Sequence, residues 1–419
     1  MKNLALRILT KFATILSKIL IWRYKLKIIT VAGSVGKTST KYILGSALNQ
    51  QIPTTFQRGS FNQPFSIPFA LFNLNYAGNA ANPIFWLKSY FKMIKLIAFG
   101  YNYKIAVIEV GSDHPGDIQK ITSWLKADYT VLTAVSEEHM ANFKDLDDVA
   151  EEEFKSQLGA TKAYISQPSV PAKFIKKYAR ADSILYGFKD GTSFSLKNQQ
   201  LNISLSKTKK ISLQISQPAQ YLAEPFVVSA LIMHDLKIPT KKITASLTNI
   251  ELPPGRMRLF TGIKNSQVLD DTYNASPKAY QEALSLVYKM PATRRILVLG
   301  NMNEFGNHAP TYHKELVKLL DLSKTEDLIL TLGPDVNTHL LPELKKSGAK
   351  AFGFKNSIEV GQFLQKNIEK GDLIFLKGSQ NNVFLEEAVK MILQNKDDSK
   401  KLCRQSPHWL KIKSKSIPS

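Results

Sequence analysis

The chain has 419 residues, 44% hydrophobic and 21% charged, which is enough apolar sequence for a sizeable core and too much for one ordinary domain. Lys and Arg number 56 against 34 Asp and Glu, a net charge of +22 that favours an anionic partner such as a nucleotide, a nucleic acid or a membrane surface. A single cysteine, Cys403, excludes a disulfide framework, a four-cysteine zinc ribbon and a cysteine-ligated iron–sulfur cluster, and a reducing cytoplasm is its simplest setting.

In chain order, residues 1–27 carry Lys2, Arg7, Lys11, Lys18, Arg23, Lys25 and Lys27 and no acid. Polar residues recur close to the 3.6-residue period among Leu4, Ile8, Phe12, Ile15 and Ile19, which predicts a basic amphipathic helix with a broad apolar face. Lys11 and Lys18 interrupt the roughly 18–20 apolar residues that a membrane span requires. A small-residue cleavage site, the mark of a signal peptide, is missing. Two readings stay open: residues 1–25 lie on an anionic membrane, or the helix packs on the body of the protein. A second basic and aromatic segment, 84–99, places Lys88, Lys92 and Lys95 on one helical face. It reads as a core helix with a solvated lysine stripe or, together with the first helix, as a membrane-facing patch.

From residue 28 the pattern alternates: strands at 28–32, 105–110 and 129–134 and a helix at 38–49 predict a doubly wound α/β domain. Residues 183–216 turn polar and β-rich, as in an antiparallel excursion at the sheet edge. Helices at 225–233 and 243–247 lead to Leu252-Pro253-Pro254-Gly255, punctuation expected of an inter-domain linker. A second α/β series has strands at 267–271, 295–300, 328–333, 351–354 and 373–377. The tail after Asn395 is charged and is expected to be partly disordered, with Trp409 as one docking contact. The predicted organisation is a basic helix over 1–27, a central domain over 28–258 and a C-terminal Rossmann-like domain over 259–419.

Thr30-Val31-Ala32-Gly33-Ser34-Val35-Gly36-Lys37-Thr38-Ser39 joins a strand to a helix, the setting in which backbone N–H groups cradle phosphate. The general P-loop pattern needs glycine where Val31 stands, so what remains is a tighter Gly-Ser-x-Gly-Lys-Thr-Ser form. In it Lys37 would reach the β and γ phosphates and Thr38 would hold Mg²⁺.

This loop resembles that of the Mur ligases, ATP-dependent enzymes that activate a carboxylate as an acyl phosphate and couple it to an amine. Further strings follow in order. Gly59-Ser60-Phe61-Asn62-Gln63 is similar to the family's Gly-Asn-x-Asn-Asn, Val107-Ile108-Glu109-Val110-Gly111 to the strand that ends in a magnesium-binding glutamate, and Thr133-Ala134-Val135-Ser136-Glu137-Glu138-His139 to the strand and loop that carry a metal-binding histidine. Gly255-Arg256-Met257 resembles a linker whose arginine reaches the γ-phosphate. Asp270-Asp271-Thr272-Tyr273-Asn274-Ala275-Ser276-Pro277, the most type-specific string, points to the branch that adds D-alanyl-D-alanine to a muramoyl tripeptide.

The resemblance implies catalytic roles for Lys37, Glu109, His139, Glu153 and Arg256, and metal ligation by Thr38, Glu109, His139 and Glu153. It implies nucleotide contacts from Gly33, Ser34, Val35, Gly36, Lys37, Thr38, Ser39, Asn62, Arg256, Asp271 and Asn274. ATP and Mg²⁺ are the expected cofactors, a muramoyl-peptide acceptor and D-alanyl-D-alanine the expected partners, and a cytoplasmic monomer the expected form. No nucleic-acid recognition module is seen.

Several positions depart from the pattern. Glu153 stands where the family has a carbamylated lysine; either it supplies the carboxylate directly, or Lys155 is carbamylated after a local shift. Ser276 replaces Asn, Asn301 replaces Asp, Gln380 replaces Arg, and Tyr221-Leu222-Ala223-Glu224-Pro225 replaces a helix start that carries a nucleotide-side asparagine. Where the family holds uridine in a domain ahead of the phosphate loop, this sequence has the basic helix. Two other readings therefore stand beside the ligase: the same fold acting on a different acid and amine, or an impaired nucleotide-binding scaffold at the membrane.

Overall fold

In the computed structural model the described residues are 2–56, 66–74, 82–187, 192–197, 199–215, 220–248, 250–303, 305–380 and 383–416. Asn62 and its string lie outside them. The chain divides into two compact units, residues 1–136 with 142–251, and residues 137–141 with 252–419.

The first unit opens with α1 (Lys2–Tyr24), which runs into β1 (Lys27–Ala32). Then come α2 (Lys37–Asn49), β2 (Thr54–Phe56), α3 (Ile67–Leu71), α4 (Pro83–Phe99), β3 (Ile105–Glu109), β4 (Tyr129–Leu132), β5 (Lys162–Ser166) and β6 (Ile184–Tyr186). The six strands form one parallel sheet in the order β2-β3-β1-β4-β5-β6. β1, β3 and β4 are buried almost throughout, as continuous apolar runs covered on both faces should be. Strand order reverses beside β1: the chain leaves it toward β2 and returns on its other side with β4. Ligands of open α/β sheets collect at the carboxyl ends of strands at such a point.

The excursion is more than an edge. β6 extends the parallel sheet, while β7 (Phe194–Lys197), β8 (Gln200–Ser204) and β9 (Lys210–Gln214) form their own antiparallel sheet with alternating burial along β8 and β9. Helix Gln220–Asp235 runs through Pro225, whose predicted role as a helix start is thus displaced five residues into the helix.

The second unit has β10 (Arg258–Thr261), β11 (Gln267–Asp271), β12 (Arg294–Gly300), β13 (Leu328–Leu332), β14 (Ala351–Phe354) and β15 (Asp372–Lys377). Their order is β10-β11-β15-β12-β13-β14, parallel except for β10. The tail is not disordered over its described part. Buried Glu386 pairs with Arg404 at 2.6 Å and with Lys413 at 2.8 Å, and the Trp409 ring meets Phe384 edge-on. Charge in this tail therefore serves packing, which composition alone could not distinguish from solvation.

Candidate active site

The loop between β1 and α2 is shaped by two glycines with positive φ, Gly33 at +123° and Gly36 at +89°. A Cβ at Gly33 would stand 2.3 Å from Thr133 Oγ1 and 2.8 Å from the Ala134 amide nitrogen, so the segment after β4 presses directly on the loop. Thr133 Oγ1 lies 2.6 Å from the Val35 carbonyl, the Ser34 N–H donates to the Ala134 carbonyl at 3.0 Å, and the Ser136 N–H donates to Ser34 Oγ at 3.0 Å. These bonds hold the loop rigidly against the sheet. Gly36 is the N-cap of α2 and brings no side chain, so that helix start is left to whatever its backbone N–H groups meet.

Lys37 and Thr38 are both buried, on the first turn of α2. Lys37 Nζ donates to the Ser34 carbonyl at 3.4 Å, folding back over the loop. The Thr38 hydroxyl is 3.2 Å from each carboxylate oxygen of Glu109, the last residue of β3. The sequence reading missed Lys41. One turn beyond Lys37, it is 2% exposed and its Nζ lies 2.9 Å from Glu109 Oε2. Its signal was present in the four-residue spacing from Lys37, which puts both lysines on one face of α2. Glu109 is thus a buried carboxylate with the Lys41 ammonium and the Thr38 hydroxyl among its partners.

Glu153 is also buried, and its Oε2 accepts from the Gly33 N–H at 2.6 Å. The structure therefore places it against the loop backbone, with one oxygen engaged there. Its neighbour Glu152 accepts from the Gly116 and Ile118 N–H groups at 2.8 and 2.7 Å and pairs with Lys155 at 3.0 Å. A carbamate on Lys155 would turn that attraction into repulsion between two anions. His139 falls in the segment 137–141, which belongs to the second unit, with φ of +51° and Nε2 3.4 Å from Glu138 Oε1. Of the four expected metal ligands, Thr38 and Glu109 are brought together. Among the described residues no three His, Cys, Asp or Glu side chains cluster as a preformed metal site.

In the second unit Asp271 ends β11 and Lys377 ends β15, in register. Their salt bridge is 2.6 Å long and buried; Lys377 also donates to the Asn274 carbonyl at 3.0 Å, and Asp271 Oδ1 accepts from the Met257 N–H at 3.2 Å. Burial pulls the Lys377 ammonium below its ordinary pKa, against the opposing pull of Asp271. Arg256 stacks on the Tyr273 ring at 4.3 Å, and its buried Nε has no hydrogen-bond partner among the described residues. Asp270 is fully buried and accepts from the Thr272 N–H and hydroxyl at 3.1 and 2.6 Å; burial raises its pKa to about 6.

Three departures find physical accounts. Ser276 caps the helix Pro277–Val287, accepting from the Ala279 N–H at 3.3 Å, a role for which Ser and Asn are nearly equivalent. Asn301 donates to Asp335 at 2.9 Å and accepts from the Val336 N–H at 3.0 Å; an aspartate could not make the first bond without a proton. Glu224 accepts from Ser169 Oγ at 2.8 Å and from Ser166 Oγ, so a buried carboxylate satisfied by two hydroxyls stands beside the replaced asparagine position.

Comparison with known proteins adds to this geometry. The sequence matches the Mur ligase middle domain over residues 31–232 and the Mur ligase, glutamate ligase domain over residues 255–380. A Rickettsia prowazekii protein named UDP-N-acetylmuramoyl-tripeptide--D-alanyl-D-alanine ligase is 28% identical over 370 residues, 85% of this chain and 76% of that protein. The crystal structure of MurF from Acinetobacter baumannii is similar with a TM-score of 0.71 at 19% identity, covering 91% of this chain and 79% of that one. MurF from Thermotoga maritima in complex with ADP gives 0.70 at 18% identity, covering 92% and 83%. At these identities the structural likeness speaks to the fold.

Proposed function

We propose that this chain, which belongs to the Mur ligase family, is an ATP-dependent ligase of cell-wall precursor synthesis that joins D-alanyl-D-alanine to the carboxylate of a muramoyl tripeptide. The observation that carries this reading is the buried Lys37–Thr38–Glu109 constellation on a glycine-shaped loop, in a chain whose two units match both catalytic domains of the family.

The chemistry sets the requirement: a carboxylate attacks the γ-phosphorus of ATP, ADP leaves, and the dipeptide amine displaces phosphate from the acyl phosphate. Anion meets anion in the first step, so fixed positive charge and aligned donors lower the barrier. Because the Gly33 and Ser34 N–H groups already have protein acceptors, phosphate falls to the N–H groups of Val35 to Ser39 and to Lys37. Glu109 and Thr38 offer adjacent hard oxygens, the donor type that suits Mg²⁺, and the Lys41 ammonium lies 2.9 Å from the Glu109 carboxylate. When bound, the ion supplies neutralisation of phosphate charge. Glu153 and His139 remain the further ligands that the family resemblance implies. Arg256, Asp271 and Asn274 carry the nucleotide contacts of the second unit. Location in the cytoplasm goes with a cytoplasmic precursor, and no described helix is long and apolar enough to cross a membrane.

The test is ADP release by the purified chain with UDP-N-acetylmuramoyl-tripeptide and D-alanyl-D-alanine, followed by product mass. Release that needs both substrates, with a product heavier by the dipeptide less water, is expected. ATP binding without acceptor-dependent release, for uridine-linked and lipid-linked acceptors alike, would overturn the proposal.

A further inference from the structure

Among the described residues, fourteen large apolar side chains are exposed, and ten of them lie on α1 and α4. On α1 these are Ile8, Phe12, Ile15, Ile19 and Trp22, a stripe with spacing of four, three, four and three residues; the opposite stripe, Ala13, Leu16 and Leu20, is buried. α4 repeats the arrangement. Ile84, Leu87, Phe91 and Ile94 are exposed at helical spacing, with Phe99 at the end, while Trp86 and Met93 are buried. The buried stripes of both helices enter one core cluster, so the outer stripes face away from it.

The two helices are joined side by side. The Tyr90 hydroxyl donates to the Leu9 carbonyl at 2.8 Å, the Phe12 and Tyr90 rings meet edge-on at 4.9 Å, and the Tyr24 hydroxyl donates to the Ile97 carbonyl at 3.0 Å. A continuous apolar strip of this extent is unusual on a soluble surface and calls for an occupant.

Charge identifies the occupant. Lys11, Lys18, Arg23, Lys88, Lys92 and Lys95 are exposed on the same two helices, and among the described residues none of them has an ion-pair partner. Neither helix contains an acid; the first acidic residue of the whole chain is Glu109. A second copy of this face would bring cation against cation, which disfavours self-association. A bulk apolar phase bordered by anions satisfies both features at once: the aromatic and aliphatic stripe enters the acyl boundary while the lysines reach the headgroups. Because α1 and α4 cannot span the bilayer, contact is from one side.

We propose that α1 and α4 together form a docking face for an anionic lipid bilayer, with Trp22 and Phe91, 80% and 71% exposed, as its principal apolar anchors. The docking does not depend on which substrates the enzyme joins.

The experiment is co-sedimentation of the full chain with extruded vesicles of phosphatidylcholine alone or containing phosphatidylglycerol. The wild type is expected to partition at least about tenfold more strongly onto the anionic vesicles. The double variant Trp22→Glu/Phe91→Glu should lose about tenfold of that partitioning, with its thermal melting and ADP binding unchanged. Lys18→Glu/Lys92→Glu should lose binding to anionic vesicles in the same way. In the wild type, brominated lipid should quench tryptophan emission, and Trp22→Phe should remove most of that quenching. Failure of the wild type to pellet would overturn the proposal. So would equal pelleting of the Trp22/Phe91 variant, which signals charge adsorption alone, and so would a concentration-dependent dimer abolished by the same variant without vesicle binding.

Discussion

Each unit buries a carboxylate at the carboxyl end of a parallel strand and neutralises it with a buried lysine, yet the two arrangements are finished differently. In the first, Glu109 is paired with Lys41 and hydrogen-bonded by Thr38, beside a helix start whose cap is a glycine. In the second, Asp271 is paired with Lys377, the lysine also donates to the Asn274 carbonyl, the acid accepts from the Met257 N–H, and the adjoining helix is capped by its own Ser276. In the second, Asp271 and Lys377 are engaged with each other and with nearby backbone groups. The first keeps a hydroxyl, a carboxylate and a helix N-terminus together on a glycine loop, which is the arrangement for holding a phosphate and its counter-ion. The same pair of residue types therefore reads as part of a phosphate-and-metal site only through what surrounds it.

The largest contrast is expected from the lysine that has no equivalent in the second unit. Lys37→Ala should lower ATP-dependent turnover by about a thousandfold or more, because a cation folded over the glycine loop serves the charge of the transferring phosphoryl group. Steady-state ADP release beside a thermal melt checks this. Next come Lys41→Met and Lys377→Met, each of which takes a buried lysine from a buried carboxylate and should cost about 3–5 kcal/mol in chemical denaturation. Millimolar Mg²⁺ should return part of the loss for Lys41→Met, where Thr38 and Glu109 remain as oxygen ligands, and none for Lys377→Met. Equal rescue of both, or of neither, would erase the distinction between the pairs.

The fold was legible because its strands are continuous apolar runs: the predicted 267–271 and 351–354 coincide with β11 and β14, and most others shift by one or two residues. Short strands escaped. β2 has three residues, β10 is an edge strand with only Leu259 and Phe260 apolar, and the apolar run of β5 is confined to residues 163–165 between Lys162 and Ser166. The loop residues Gly33 to Thr38 and the strand-end Glu109 were legible as a local motif. Lys41 was not, because a lysine within a helix reads as solvated until the sheet shows which face is buried. For the same reason Glu153 read only as a candidate ligand, whereas its bond to the Gly33 N–H depends on a residue 120 positions away. The tail failed in the opposite sense: Arg404 and Lys413 are buried against Glu386, a pairing that no local pattern contains.

Smaller effects probe how tightly the second arrangement is closed. Asp270, next to Asp271, has no ion-pair partner among the described residues, and burial raises its pKa to about 6. A raised carboxyl pKa means that the folded state holds the proton more strongly, so this group's stabilising contribution is present below about pH 4 and is lost as pH rises through about 6. Asp270→Asn keeps an acceptor for the Thr272 N–H and hydroxyl without the charge. It should gain about 2–3 kcal/mol over the wild type at pH 7.5 and little at pH 4, read from denaturation at the two pH values.

The smallest effect falls on the helix cap. Ser276→Asn should change stability by no more than a few tenths of a kcal/mol, since either side chain accepts from the Ala279 N–H, whereas Ser276→Ala should cost about 1 kcal/mol. At Gly36 the expectation reverses. A capping side chain there would have to adopt the left-handed backbone at φ +89° and would place its own oxygen where α2 presents its N–H groups. Gly36→Asn should therefore weaken ADP binding in calorimetry by a larger factor than it lowers the melting transition, while Ser276→Asn moves neither. If the two variants behaved alike, the glycine cap would be a feature of folding, and the difference between the two helix starts would not mark the site.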